Sequence, residues 1–393
     1  MKLKMAMIGG GIGSFIGPVH LKAARMDNMI ELVAGAFSSN HDTSLRSGIE
    51  YGLGKERIYD DWQLMLKMEA SRPDENRPDF ICIATPNHLH FKPAMDAIAA
   101  GFHVVCDKPL CLTVEEAIKL RDALRASKKL FCLTHNYSAY PMIKKAREMV
   151  QDGELGTIRK VVVEYLQGWL SDREEEKGNK QAEWRADPAK AGNAGCMGDI
   201  GTHAFQLSEY ITGKKVEKLY SQLNTFVEGR LLEDDGNVIL NFEDGIKGSL
   251  IASQVALGEE NAFSIRIYGT KGSLGWKQME PNSLVVRWKD RPMQIYRTGT
   301  GFEAMGHIAG IHTRLPAGHP EGFIEAFANL YRNFAMHLQS YKKGEKHNPD
   351  YDYPGIEDGV RGMQFLEAVV RSSRDEKWFK LPSKGYFPGD SSC

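Results

Sequence analysis

Along the first third of the chain, short apolar runs alternate with stretches whose apolar residues recur at helical spacing. MKLKMAMIG (1–9), IELVAGAF (30–37), DFICIAT (79–85), HVVCDK (103–108) and LFCLTHN (130–136) predict five strands. Between them, Val19–Met26, DWQLMLKMEA (61–70), HFKPAMDAIAAG (90–101) and TVEEAIKLRDALRASK (113–128) predict helices, with Thr113 as an N-cap ahead of Glu116. Regular alternation of this kind predicts parallel βαβ units. From Gly156 the texture changes. IRKVVVEYLQGWL, VEKLYSQLNTFVEG, GNVILNF, GIKGSLIASQV, AFSIRIYG and SLVVRW are β-rich, with turns such as Glu243–Gly245 between them. Two amphipathic helices, Ile200–Ile211 and Gly322–Leu338, interrupt this half, and DREEEKGNK from Asp172 reads as a solvated loop. The pattern divides the chain into an α/β domain with a parallel sheet, 1–135, and an α+β domain, 136–393, with a largely antiparallel sheet.

Composition narrows the classes. With 393 residues, 26% charged, 42% hydrophobic and a formal net charge of −1, the chain has no field to recruit nucleic acid or anionic membrane. No apolar run approaches a membrane span, and the N-terminus turns glycine-rich too early for a signal peptide, which predicts a cytoplasmic protein. The six cysteines contain no C-x-x-C pair, and Cys82, Cys106 and Cys132 lie inside apolar runs, so neither disulfides nor a thiol zinc site is expected.

Candidate chemistry begins at MIGGGIGSFIGPVH, a glycine-rich turn from the first strand into a helix, where a backbone can approach a pyrophosphate. Gly9 and Gly11 fit the first two positions of the G-x-G-x-x-G pattern, Ser14 stands at the third, and Gly13 and Gly17 extend the turn. At the end of the second strand, Ser38 and Ser39 stand where an acid would bind the ribose of NAD; with Arg46 they could accept a 2′-phosphate, although Arg46 equally reads as a solvated helix residue. NAD or NADP is expected, NAD being slightly favoured. Lys108 sits at a strand end, the ligand side of a parallel sheet, held extended by Pro109. Asp199 and His203, four apart on a predicted helix, would share one face, with histidine suited to serve as a base. His88, His90, His307, His312 and His319 form no tight ligand cluster, so no metal is expected. The glycine-rich segment 298–322 reads as a structureless loop lining or covering the substrate pocket, with His319 the expected contact.

Taken in order, the glycine turn ending in His20, ATPNHLH (84–90), AGFHVVCDKP (100–109), GDIGTHAFQLSEYITG (198–213), FEDGIKGSL and IYGTKGSLGW resemble the glucose–fructose oxidoreductase, inositol dehydrogenase and rhizopine catabolism (Gfo/Idh/MocA) family. The resemblance implies an N-terminal Rossmann domain and a second domain whose open sheet forms the contact of a homodimer or homotetramer. It implies nicotinamide-dependent oxidation or reduction of a sugar, inositol or related polyol. By position, Lys108 matches the lysine of the family's Glu-Lys-Pro motif, with Asp107 in place of the glutamate. Asp199 and His203 match the acid and histidine of the second motif, while Gln206 replaces an acid often found three residues further on. Thr85, Pro86, Asn87 and His90 match the turn that packs against the cofactor, with Asp107 and Lys108 beside it. Trp184 and Arg185 resemble a substrate-side segment, and Tyr137 either faces the nicotinamide or packs in the core. In this reading His203 takes a proton, Lys108 polarises the oxygen and Asp199 orients substrate or tunes the histidine. Two further readings are a glycosidase or lyase that oxidises its sugar transiently with a bound cofactor, and a dinucleotide-binding regulator without catalysis.

Overall fold

The computed structural model describes residues 2–301 and 303–382; Phe302 of the glycine-rich segment and Cys393 lie outside them. The chain forms two compact units, and neither is continuous in sequence. The first combines residues up to Leu112 with Lys119–Pro141 and Thr298–Val360; the second is built mainly from Met142–Arg297 and the chain after Arg361.

In the first unit, strands β1 (Leu3–Gly9), β2 (Ile30–Ala36), β3 (Phe80–Ala84), β4 (His103–Cys106) and β5 (Phe131–Leu133) form one parallel sheet in the order β2-β1-β3-β4-β5. All five were predicted. β3 and β4 are buried at every residue, as strands covered on both faces must be. Chain order reverses between β1 and β3, and open parallel sheets bind ligands in the crevice outside such a switch point. Thr113 caps its helix, Glu116 N donating to Thr113 Oγ1 at 3.2 Å. Helix His41–Glu50, which the sequence reading placed only around Arg46, is capped by Asn40, whose Oδ1 accepts from Thr43 N.

One helix departs from expectation. Phe323–Lys343 was expected inside the β-rich half, yet it belongs to the first unit. Its apolar stripe, Phe327, Leu330, Tyr331, Phe334 and Leu338, joins Met5, Met7, Phe80 and Cys82 in one buried cluster and covers a face of the parallel sheet. The segment before it is not structureless. It contains a 3-10 turn (Glu303–Met305), a short helix (His307–Ile311) and a bridge between Thr300 and Pro316. Arg314 ties it down through Asp27 and Asn329, and buried His312 donates from Nδ1 to Ile308 O while accepting from Asn333 Nδ2.

The second unit holds a nine-stranded sheet, ordered β13-β12-β11-β10-β6-β9-β8-β7-β14. Its strands are β6 (Ile158–Leu166), β7 (Val216–Asn224), β8 (Asp235–Phe242), β9 (Lys247–Ser253), β10 (Ala262–Gly269), β11 (Gly272–Lys277), β12 (Ser283–Trp288), β13 (Gln294–Arg297) and β14 (Phe379–Lys380). β6 and β9 are parallel and the other pairs antiparallel, so the sheet is mostly antiparallel, as expected. β8 buries Val238, Leu240 and Phe242 on one face and leaves Ile239 half exposed on the other, the alternation of a sheet covered on one side. Helix Thr202–Thr212 lies over the covered face, with Phe205 stacked on Phe365 at 4.3 Å. Glu209 pairs there with Arg361 at 2.9 Å, both almost wholly buried. The Asp172–Lys180 stretch is more ordered than a solvated loop: it forms a 3-10 turn at Glu174–Lys177, and Glu175 pairs with the shielded guanidinium of Arg230 at 2.9 Å.

Candidate active site

The glycine turn leaves β1 at the switch point. Gly9 is paired with Ala84 of β3 and adopts φ +77°, where a Cβ would lie 2.6 Å from Thr85 Cγ2. Any side chain there would be strained and would fill the cradle. The turn departs from the predicted assignment at one place. Gly17, not Ser14, takes the third glycine role, because a Cβ on Gly17 would run into the Gly10 carbonyl as the helix packs against the turn. Ser14 instead accepts Gly17 N on its Oγ at 3.3 Å. Two braces escaped the sequence reading: Ser47 Oγ accepts from Ile12 N at 2.9 Å, and Tyr51 Oη donates to Gly10 O at 2.8 Å. Gly11 faces this brace, and Gly13, at φ +87°, has open space where a Cβ would stand. The turn therefore presents backbone rather than side chains to its crevice, which fits a dinucleotide pyrophosphate.

At the end of β2, Ser38 Oγ accepts from Asn40 N at 3.2 Å, Ser39 is exposed, and Arg46 stands exposed on helix His41–Glu50. At the end of β3, Thr85 Oγ1 donates to Leu89 O across the 3-10 turn Asn87–Leu89, which follows Pro86. His90 is fully enclosed and faces two carbonyl oxygens, Pro109 O at 2.6 Å and Thr85 O at 2.9 Å. Burial holds its pKa below the usual imidazole value, with Asp107 and both carbonyls pulling the other way. A neutral ring carries one N–H and donates to one of these carbonyls at a time, and from its enclosed position His90 packs between the Thr85 turn and the Lys108–Pro109 turn.

Lys108 follows β4 after one residue, Asp107; it is partly exposed, and its peptide to Pro109 is cis. Its charge is felt at His135, which burial first and Lys108 second push down to about 3. Asp107 is anchored through Oδ1, which accepts from Thr134 Oγ1 at 2.6 Å. Behind it lies a chain absent from the sequence reading. Tyr331 Oη is 2.7 Å from His20 Nδ1 and 3.2 Å from Cys82 Sγ. Burial pushes His20 down to about 4, so the ring is neutral near pH 7. If Tyr331 donates to Nδ1, the ring proton sits on Nε2 and points at Asp107 Oδ1, 3.9 Å away and beyond hydrogen-bond reach. Nε2 is buried without a hydrogen-bond partner. The resemblance implies glutamate at this position, one methylene longer than Asp107. Asp107→Glu is expected to close the gap to Nε2 and raise unfolding stability by about 1 kcal/mol, measured by urea denaturation; a variant no more stable than the parent would refute this account.

In the second unit, Asp199 and His203 straddle a change of helix type. Asp199 lies in a π-helical turn, Met197–Gly201, and His203 in the α-helix that starts at Thr202. The simple α-helical pair expected from four-residue spacing is therefore distorted; π-turns of this sort often mark functional sites. Asp199 Oδ2 accepts from Arg185 Nε and Gln254 Nε2, each at 2.9 Å. Arg185, read from the sequence as a substrate contact, is thus engaged with Asp199 and lies over the Trp184 ring at 4.1 Å. Gln254, Gln167 and Trp169 complete a polar shelf, Trp169 Nε1 donating to Gln167 Oε1 at 3.0 Å and Gln254 Nε2 reaching the same oxygen at 3.4 Å. His203 is buried beside Tyr165, whose ring stacks on Phe263 at 4.6 Å.

Of the two places open to Tyr137, the structure shows the core. Tyr137 is a core residue of the first unit, 3% exposed, stacked on Tyr140 and edge-on to Phe323. His319 is exposed on its turn, with Nδ1 3.3 Å from Pro316 O. Among the described residues, no group of three or more His, Cys, Asp or Glu could hold a metal ion, and no helix is long and apolar enough to cross a membrane. The five described cysteines are buried and form no disulfide.

A switch-point glycine cradle beside a strand-end lysine, together with an acid–histidine helix in an antiparallel-sheet domain, defines a two-domain nicotinamide oxidoreductase. Residues 3–135 match the family model for the oxidoreductase family, NAD-binding Rossmann fold, and residues 143–275 match the GFO/IDH/MocA C-terminal domain. The chain belongs to the Gfo/Idh/MocA oxidoreductase family. It is 33% identical over 375 residues to the uncharacterized oxidoreductase YfiI of Bacillus subtilis, covering 94% of each chain. It is 26% identical to the levoglucosan dehydrogenase of Pseudarthrobacter phenanthrenivorans, covering 97% of this chain and 98% of the relative. Among solved structures it is similar to an inositol dehydrogenase homolog from Azotobacter vinelandii complexed with NAD+, with a TM-score of 0.91, 35% identity and 97% of each chain covered. That homolog has also been crystallised with NADH and myo-inositol.

Proposed function

We propose that this protein oxidises a secondary alcohol of a sugar, inositol or related polyol to the ketone, reversibly, using NAD. The observation that carries the reading is that both domains match the family; the resemblance of the sequence would put Lys108, Asp199 and His203 at its motif positions. The inositol dehydrogenase homolog and levoglucosan dehydrogenase support the substrate class. The NAD complexes of the former support NAD over NADP. The glycine turn, Gly9, Gly11 and Gly13, with Ser38, Ser39 and Arg46, would hold the dinucleotide, and Thr85, Pro86, Asn87 and His90 would flank its nicotinamide half. NAD supplies the hydride acceptor.

The chain's own groups handle the rest. His203 takes the hydroxyl proton as the carbon–hydrogen bond breaks. Lys108 stabilises negative charge developing on that oxygen. Asp199, fixed by Arg185 and Gln254, orients the neighbouring hydroxyls. His319 remains a proposed contact from the 298–322 segment. Association through the open sheet face, where Ile239 and Ile295 are about half exposed, belongs to the same proposal and is read by sedimentation.

The test is absorbance of reduced nicotinamide during incubation with NAD+ or NADP+ and a panel of inositols, anhydrosugars, pyranoses and ketosugars. Turnover of a polyol, faster with NAD+, is expected. Glycoside cleavage without added cofactor would move the assignment to the transient-oxidation lyases, and binding without turnover of any member would favour a regulator.

A further inference from the structure

Glu233 lies in the connection just before β8, 8% exposed, in the stretch LEDD that the motifs leave unassigned. Its Oε1 accepts from Met197 N at 3.0 Å, and its backbone oxygen accepts from Cys196 N at 3.0 Å. One residue thus grips two successive amides where the π-turn begins, two positions before Asp199. Its acidic neighbours are each held elsewhere. Asp234 accepts from Phe226 N at 2.8 Å and Val227 N at 3.0 Å, and it lies 3.6 Å from Arg230. Asp235 accepts from Asn224 Nδ2, and Asp199 from Arg185 and Gln254. The buried Cys196 thiol, its value pushed well up by burial, completes the surroundings.

We propose that Glu233 is a positioning residue: its buried carboxyl seats the π-turn, and through that turn it fixes Asp199 and the start of the His203 helix. The inference rests on reading Asp199 and His203 as the substrate-side catalytic groups. Burial pushes the Glu233 carboxyl up to about 7, against the pull of the Gly195, Met197 and Glu233 amides, so the seat titrates near neutrality. The value is raised above that of the unfolded chain. The associated stabilisation is therefore complete at acid pH and is lost as pH rises through about 7.

Glu233→Ala and Glu233→Gln test the proposal by amide hydrogen exchange, nicotinamide binding and polyol kinetics. In Glu233→Ala, exchange across 195–203 is expected to rise about tenfold while β10 keeps its protection. Its kcat is expected to fall on the order of tenfold to a hundredfold with NAD affinity unchanged. Glu233→Gln keeps an acceptor oxygen for Met197 and is expected to restore both to within about threefold. Wild-type exchange across 195–203 in Glu233→Ala, or an equal rise in β10, overturns the proposal. If exchange rises locally while even the parent turns over no polyol, the seat stands and the proposed reaction falls. Should Glu233→Ala fail to fold, the melting curves decide: the parent must lose Tm relative to Glu233→Gln between pH 5 and pH 8, and parallel curves overturn the assignment.

Discussion

Lys108→Ala lowers kcat for polyol oxidation by about 10²- to 10³-fold and leaves NAD affinity within about threefold of the parent. Removing one preorganised donor aimed at developing charge costs that much where water is excluded. Lys108 meets the description because its backbone is fixed on both sides. Asp107 before it is bonded through its amide to Ile83 O and through its carboxyl to Thr134, and Pro109 after it is held by His90. Two enclosed histidines, His90 and His135, already register its charge. The split between kcat and binding is the decisive measurement. Parent-level kcat in the variant would overturn the role, and an equal loss in NAD binding would make Lys108 a cofactor ligand instead.

His203→Asn is the second large effect, a fall in kcat of about 10²- to 10⁴-fold at neutral pH. Asparagine keeps a polar group of similar reach on a helix whose other residues are buried except Tyr210, so the sheet is not expected to melt with it. What disappears is the ability to take a proton. A rise of kcat with pH is therefore expected in the parent and is expected to flatten in the variant, with residual activity that depends on hydroxide. An unchanged pH profile would assign the proton to another group, and a fall in substrate affinity alone would reduce His203 to a binding contact.

The parallel sheet was legible because its strands are buried on both faces and therefore read as continuous apolar runs between helices. β11, β13 and β14 were not: β13 reads QIYR and is largely exposed, and β14 is two residues long, so neither carries a periodic signal. The placement of helix Phe323–Lys343 was invisible for a different reason. Its apolar stripe announces that something is covered without saying what. The same limit governs the site. Four-residue spacing pointed to Asp199 and His203, but the groups that hold Asp199 lie 14 and 55 positions away, at Arg185 and Gln254. Spacing also assumed an α-helix where the chain makes a π-turn. Gly17 shows a local limit: a pattern fixed at G-x-G-x-x-G selects Ser14, whereas the packing of helix on turn selects the glycine three residues later. Asp107 was noticed as a departure from the motif, but its cost became visible only with His20 Nε2 left unbonded behind it.

Helix Phe323–Lys343 also sets the order in which the molecule can be made. The five strands of the dinucleotide-binding sheet leave the ribosome early, yet the side chains that cover Met5, Met7 and Phe80 are translated only after strands β6 to β13 of the second sheet. At about 5–20 residues per second, the nascent first unit waits on the order of ten seconds or more with one apolar face open to water. The part of the protein synthesised earliest is thus completed late, and during that interval the newborn chain is a natural client for chaperones.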